Sequence, residues 1–216
     1  MMDASNFIQA AAIYAIPIIF AITFHEAAHG YVAKHFGDMT AYMQGRVSLN
    51  PFHHIDPIGT IVIPLVSLAL GGFLFGWAKP VPINFGALRN PKKDMLWVAI
   101  AGPGSNLIMA LFWAFMLKIA TMMPGSYFAS PLTVMANMGV QINIVLMMLN
   151  LLPIPPLDGG RVMVSLLPAR RAYQLAKIEP YGIIILVVLL FSGILGGIIG
   201  PLINITRGLI LQLFGL

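Results

Sequence analysis

Two histidines and a glutamate stand together near the start of the chain, in Thr23-Phe24-His25-Glu26-Ala27-Ala28-His29. The spacing is H-E-x-x-H. Residues four apart on an α-helix share a face, so His25 and His29 can ligate one metal ion. Glu26 lies one step round the same turn, where a carboxylate can take a proton from a metal-bound water. The chemistry this set supports is metal-assisted hydrolysis. The motif is short and arises by chance in many chains, so its surroundings carry the weight. They are apolar, with Ile18-Ile19-Phe20-Ala21-Ile22 ahead of it and Ala27-Ala28 within it. Ionisable groups in such a helix are costly, and function is their default explanation.

Catalytic zinc takes three protein ligands and a water, so a third ligand is needed. The chain has no cysteine, which removes thiolate ligands and disulfides together. Its acids are Asp3, Glu26, Asp38, Asp56, Asp94, Asp158 and Glu179, and its other histidines are His35, His53 and His54. His35 stands where a metzincin-type third histidine would stand. That pattern turns the chain on a glycine, and Val32 occupies the position. In a continued helix His35 points about 120° away from His29. Glu179 lies in a polar stretch before Pro180, and Asp38 follows the helix end too closely to fold back easily. His53, His54 and Asp56 belong to a connecting loop, where His54 and Asp56 stay candidates to line the site. Asp158 is the best choice. It follows Pro153-Ile154-Pro155-Pro156, which ends a helix, and precedes Gly159-Gly160, which permit close approach to another element. Its other reading is an N-cap for a short helix.

The elements that must position these groups are those of a membrane protein. Of 216 residues, 59% are hydrophobic and 9% charged, and mean hydropathy is +0.89. A soluble domain carries about a quarter charged residues. The expected fold is an all-α polytopic membrane protein. It is a bundle of about four to six transmembrane or re-entrant helices, with short extended segments at the membrane face. One domain is expected over 1–216, with a core at about 7–167 and a C-terminal helical segment at 181–216. The net charge of +5 is spread over inter-helix loops, as membrane topology produces, and does not point to nucleic acid. The N-terminus lacks the basic region of a signal peptide, so the first apolar run is expected to be retained.

In chain order, a first segment covers 7–36 and ends at Gly37, a C-cap glycine. A polar connection follows, where residues 45–51 are expected to form a short strand and turn. Segment two, 58–75, is broken by Pro64. In Lys79-Pro80-Val81-Pro82-Ile83-Asn84 the prolines exclude helix and favour extended backbone, which must be buried in protein or line a cavity. Segment three, 95–121, contains Ala101-Gly102-Pro103-Gly104-Ser105-Asn106. Small residues there suit close helix packing, and Asn106 is either functional or a satisfied amide at a kink. Segment four, 131–152, runs into Asn150 and the proline stretch. The last stretch, 181–216, is too long for one perpendicular span, and Gly196, Gly197, Gly200 and Pro201 are expected to break it.

Together these residues resemble the site-2 protease family of intramembrane zinc metalloproteases, peptidase family M50, in its short bacterial branch. The resemblance rests on His25-Glu26-Ala27-Ala28-His29, on Ala101 through Asn106 and on Asn150 through Gly160, in this order. It implies one zinc ion held by His25, His29 and Asp158, with Glu26 as catalytic base. It implies substrate roles for Asn106 and Asn150. It also implies hydrolysis of peptide bonds in or near transmembrane segments of membrane proteins, so the partners are a transmembrane substrate and the lipid bilayer. The PDZ or CBS domain that larger members carry is not expected in this chain. A helical substrate has to be unwound, by strand addition to an exposed edge. Pro80, Val81, Pro82, Ile83 and Asn84 are the candidate docking segment. The rival functions are a metal ion transporter and a catalytically silent relative that binds membrane proteins.

Basic residues predict the topology. Arg46, Lys79, Arg89, Lys92 and Lys93 lie between segments one and three, and Arg161, Arg170, Arg171 and Lys177 follow segment four. Both groups are cytoplasmic if 58–75 dips in and returns rather than crossing. The protein is then multi-pass in the plasma (inner) membrane, with its active site toward the cytoplasm.

Overall fold

A computed structural model describes residues 4–62 and 79–216 of the chain. The expected dip over 58–75, with its turn at Pro64, therefore lies largely outside the described residues. The regular structure of the described residues is all helical, without strands.

Helix α1, Ala4–His35, runs 32 residues with Pro17 inside it. It ends as a glycine C-cap. Gly37 takes φ 107, and the N–H groups of Phe36 and Asp38 return to the carbonyls of Val32 and Ala33. A single turn follows as α2, Thr40–Met43. The strand expected over 45–51 does not form. Side chains there take up the backbone donors locally: Ser48 Oγ accepts from Asn50 N–H, and Asn50 Oδ1 accepts from Phe52 N–H. Such local bonds compete with strand pairing, and the chain turns instead into a 3-10 turn at Pro51–His53. A π-helical turn covers Pro57–Val62.

Residues 79–84 carry no regular structure, in keeping with Pro80 and Pro82. A 3-10 turn at Phe85–Ala87 leads into α3, Pro91–Thr121, which begins four residues before the expected segment. Pro91 supplies the first helical residue, and Asp94 Oδ2 accepts from Asn90 N–H at 2.7 Å, so Lys92, Lys93 and Asp94 lie in the first turn of the helix. Then come α4, Ala129–Asn150; α5, Asp158–Leu166; α6, Ala169–Ala176; a 3-10 turn, Glu179–Tyr181; α7, Gly182–Phe191; and α8, Ile194–Leu213. The final stretch breaks at Gly193, which takes φ 76, and not at Gly196, Gly197, Gly200 or Pro201, which continue inside α8. A left-handed residue stops a helix outright, whereas glycine in helical conformation only weakens it.

Among the described residues, four helical stretches are long and apolar enough to cross a membrane: Pro91–Thr121, Ala129–Asn150, Ala169–Phe191 and Ile194–Leu213. The third is interrupted at Glu179–Tyr181, and α7 alone has 10 residues, about 15 Å of helix. That is half a hydrocarbon core, which is about 30 Å thick.

Helix α3 is the hub, packing against α4, α1 and α5. One stripe of it is buried: Val98, Ala99, Gly102, Pro103, Asn106, Ala110, Trp113, Ala114 and Leu117. Steps of three and four keep these residues on one face. The lower part, from Ala110 to Leu117, packs on Ala136, Val140 and Ile144 of α4 and Ile210 of α8. Trp113 lies where a side chain at Gly139 would stand. A second cluster of Ala33, Leu88 and Val98, with Phe36, Ile83 and Met95 against it, ties the end of α1 to the start of α3.

Candidate metal centre

His25 and His29 occupy successive turns of α1 and face α3, antiparallel to them. Three α3 positions at the same spacing of four meet them: Val98, Gly102 and Asn106. His25 Nδ1 bonds Asn106 Oδ1 at 2.7 Å, and His29 Nδ1 bonds the Val98 carbonyl at 2.7 Å. Both partners are acceptors, so each imidazole carries its proton on Nδ1 and presents Nε2 as a lone pair. The Asn106 amide is itself oriented. Its Nδ2 donates to the Ala21 carbonyl and to Asn143 Oδ1, while Asn143 Nδ2 donates to the Gly139 carbonyl. Asn106 and Asn143 are fully buried.

Between the histidines, Gly102 leaves the space they need. A Cβ there would overlap His29 Nε2 and sit 2.6–2.7 Å from the His25 ring atoms Cε1 and Nε2. Glycine at this position is a requirement of the site rather than of the helix.

Asp158 is the first residue of α5, after the capping position at Leu157. The proline turns that precede it fold back tightly. Side chains at Gly159 and Gly160 would overlap the backbone at Leu151, Leu152 and Pro155. Helix α5 packs on α3, and this brings the carboxylate over the histidines. Asp158 Oδ2 lies 3.2 Å from His25 Nε2 and 3.3 Å from His29 Nε2, and the two Nε2 atoms are 3.1 Å apart. All three residues are buried, at 7–8% exposure.

These three residues could hold a metal ion. Zinc bonds to nitrogen and carboxylate oxygen at about 2.0–2.2 Å, and tetrahedral ligand atoms then lie roughly 3.3–3.5 Å apart, close to the spacings here. Asp158 Oδ2 is also a buried polar atom with no donor satisfying it. An acceptor turned toward two imidazole lone pairs is explained by a cation between them.

Glu26 is half-buried beside this centre. Its Oε2 accepts from the N–H of Val81 at 2.8 Å, which joins the H-E-x-x-H turn to the segment at 79–84. Val81 is buried against Gly30 of α1, and Ile83 packs against the cluster of Ala33, Leu88 and Val98. Pro80, Pro82 and Asn84 are half-buried or exposed.

The remaining expected residues stand apart from the donor triangle. His54 is buried, but its Nε2 donates to the Ser48 carbonyl, and its own carbonyl accepts from Lys79 N–H. Asp56 Oδ1 takes the N–H groups of Ile58 and Gly59 at the start of the π-helical turn. Asn150 Nδ2 donates to the Leu146 carbonyl at the end of α4. Two residues of the site were not foreseen. Asn143 orients Asn106, and Asp38, dismissed as a ligand, is fully buried and bonds the N–H groups of Thr40 and Asn84. The signal for Gly102 was present, since Val98, Gly102 and Asn106 repeat the four-residue spacing of the histidines.

An all-α polytopic membrane protein with a buried His-His-Asp donor set is the class that fold and site define. Comparison with known proteins narrows it. The chain is 41% identical over 202 residues, 92% of its length and 89% of the relative's, to YwhC of Bacillus subtilis (strain 168), provisionally named a zinc metalloprotease. It is 29% identical over 175 residues to Rip2 of Mycolicibacterium smegmatis, and 28% over 177 residues to Rip2 of Mycobacterium tuberculosis (strain H37Rv). Those two carry the same provisional description, and the match covers 64% of each of them. Peptidase family M50 matches residues 118–193, a stretch that includes Asp158. No solved structure shows a significant match. The chain belongs to peptidase family M50 and is a membrane-embedded zinc metalloprotease.

Proposed function

We propose that this metalloprotease hydrolyses peptide bonds in or near the transmembrane segments of membrane proteins, with His25, His29 and Asp158 holding one zinc ion per chain and Glu26 acting as general base. The observation that carries the proposal is the buried triangle of His25 Nε2, His29 Nε2 and Asp158 Oδ2, 3.1–3.3 Å on each side, among helices of membrane-spanning composition. Bound zinc supplies Lewis acidity, polarising the scissile carbonyl and bringing the pKa of a coordinated water toward ~7. The protein does the rest. Asn106 and the Val98 carbonyl hold both imidazoles in one tautomer and orientation. Glu26 keeps its second oxygen without a partner among the described residues, available to take a proton from water and deliver it to the leaving amine. Both Asn106 amide hydrogens are engaged, so Asn150 is the better candidate for a donor to the developing oxyanion.

The segment Pro80-Val81-Pro82-Ile83-Asn84 is the proposed substrate dock. Successive N–H groups of an extended backbone point to opposite edges. In the extended conformation proposed for this segment, Val81 and Ile83 share the edge that faces Glu26, and the prolines remove donors only from the other edge. Among the described residues, the Val81 carbonyl and both backbone groups of Ile83 have no partner. A substrate strand paired there would lie alongside the site.

The site's location toward the cytoplasmic side of the plasma membrane has parallel support. Arg89 N–H bonds the Phe36 carbonyl, and Lys92 Nζ bonds the Leu167 carbonyl. The end of α1, the start of α3 and the turn after α5 therefore share one end of the bundle, and that end carries the basic loops.

The test is zinc content and cleavage of a model transmembrane substrate for the wild type, Glu26→Gln and Asp158→Ala. The expected result is that the wild type cuts, Glu26→Gln keeps zinc without cutting, and Asp158→Ala loses zinc. Full zinc and activity in Asp158→Ala would remove it from the ligand set. Zinc without cleavage of any membrane substrate in the wild type would reject the intramembrane reading.

A further inference from the structure

The segment at 79–84 has no backbone partner strand among the described residues, yet almost every anchor it has is a side chain of another element. Arg46 Nη2 donates to the carbonyls of Lys79 and Pro80 at 2.9 and 3.3 Å. Glu26 accepts from Val81 N–H at 2.8 Å. Asp38 closes the far end, its Oδ2 accepting from Asn84 N–H at 2.7 Å while its Oδ1 accepts from Thr40 N–H at 2.9 Å. Two backbone bonds complete the set among the described residues: Lys79 N–H donates to the His54 carbonyl, and Ala87 N–H, in the turn that follows, donates to the Asn84 carbonyl.

Asp38 is unusual among these anchors. It is 0% exposed, and no ion pair to it is formed among the described residues. A buried carboxylate is costly unless its lone pairs are met. Here two backbone donors meet them, one just past the end of α1 and one in the segment. Closing the turn that leads into α2 needs only Oδ1, and asparagine or serine would serve. Two donors from opposite sides call for two acceptor oxygens, which an ionised carboxylate has and an amide does not. The bond to Asn84 joins the segment to the turn that closes α1, the helix that carries Glu26.

We infer that Val81 N–H orients the Glu26 carboxylate for catalysis, and that Asp38 is a positioning residue that acts through it by holding the segment in register with α1. The inference rests on the reading of Glu26 as general base. A carboxylate free to rotate samples many positions relative to the water it must deprotonate. One fixed by a backbone N–H on one oxygen presents the other in a set direction. The segment then has two duties, docking substrate and aiming the base, and Asp38 keeps them aligned. Misplacement of about 1 Å in such a group costs roughly a hundredfold in rate.

A double-mutant cycle in the full-length protein tests this. Val81→Pro removes the N–H while tolerating the extended backbone between Pro80 and Pro82. Asp38→Asn keeps the shape of the side chain but turns one acceptor into a donor facing Asn84 N–H. Zinc content, melting temperature, kcat and KM on a model transmembrane substrate are measured for both single variants and the double. The expected result is retained zinc and a fall in kcat of about 10- to 100-fold for each single variant. The double variant should be no slower than Val81→Pro alone, because Asp38 acts through the bond that Val81→Pro has already removed. Losses that multiply in the double variant would make Asp38 a structural cap acting independently, and overturn the inference. Wild-type kcat in Val81→Pro with zinc bound would overturn it too, even if Asp38→Asn failed to fold. Glu26→Gln run in parallel separates the two levels: if it still cleaves, the base assignment itself fails. If it is dead while Val81→Pro and Asp38→Asn are unaffected, only this inference fails.

Discussion

Each imidazole of the centre is held by a bond made on the nitrogen that does not face the metal position. Asn106 is the clearer case, because its carboxamide oxygen meets His25 and its two hydrogens meet Ala21 and Asn143. Asn106→Ala should leave His25 free to rotate and to take the other tautomer. The expected outcome is a drop in zinc affinity of about 10- to 100-fold, read by competition with a chelating dye. Gly102 makes a sharper prediction. In Gly102→Ala the new methyl overlaps His29 Nε2, so the purified protein should contain no zinc. Gly104→Ala, two residues on, meets nothing within 4 Å and should keep its full zinc content. Loss in both would point to the helix and not to the site.

Helices α3 and α4 form the seam on which the centre is suspended. Trp113 fills the space opposite Gly139, and the carbonyl of Gly139 receives the Asn143 amide that orients Asn106. The seam and the centre are therefore coupled through one turn of α4. Gly139→Ala should overpack the seam and destabilise the protein by about 1–3 kcal/mol. The melting temperature in detergent reports this, and zinc affinity should fall with it, since displacement of α4 carries Asn143 away from Asn106. An unchanged melting temperature would mean that Trp113 swings aside at no cost. At the other end of the bundle, Gly182 performs a similar service. A side chain there would overlap the Pro155 carbonyl, so the start of α7 is pressed against the turn that delivers Asp158.

For the molecule as a whole, orientation in the membrane is the property open to direct measurement. The chain contains no cysteine, so single cysteines can be introduced without a cysteine-free background. Ser126→Cys, in the loop between α3 and α4, should react with a membrane-impermeant maleimide in intact cells. Arg170→Cys, in α6, should react only after the cells are opened. The reverse pattern would put the basic end of the bundle outside and overturn the cytoplasmic location of the site.

Much of this could be read before any fold was known, and the limit has a physical origin. The pairing of His25 with His29, the membrane class and the Gly37 cap all follow from local periodicity and composition, which a helix imposes within a few residues. Asp158 could be chosen because the chain offers so few acids, although nothing local says where its carboxylate points. The strand expected near Val47 failed for a local reason of another kind: Ser48 and Asn50 side chains satisfy the backbone before a partner strand can. The break at Gly193 was misplaced because glycine in a sequence does not announce its φ. What only the tertiary structure decided is the set of contacts between elements far apart in the chain. Among them are Val98 and Asn106 on the two histidines, the room left by Gly102, Val81 on Glu26, and Asp38 on Asn84. Residue type and spacing determine what a side chain can do chemically. Which donor meets which acceptor depends on how α1, α3 and the 79–84 segment pack, and that packing is set by buried surfaces drawn from the whole chain.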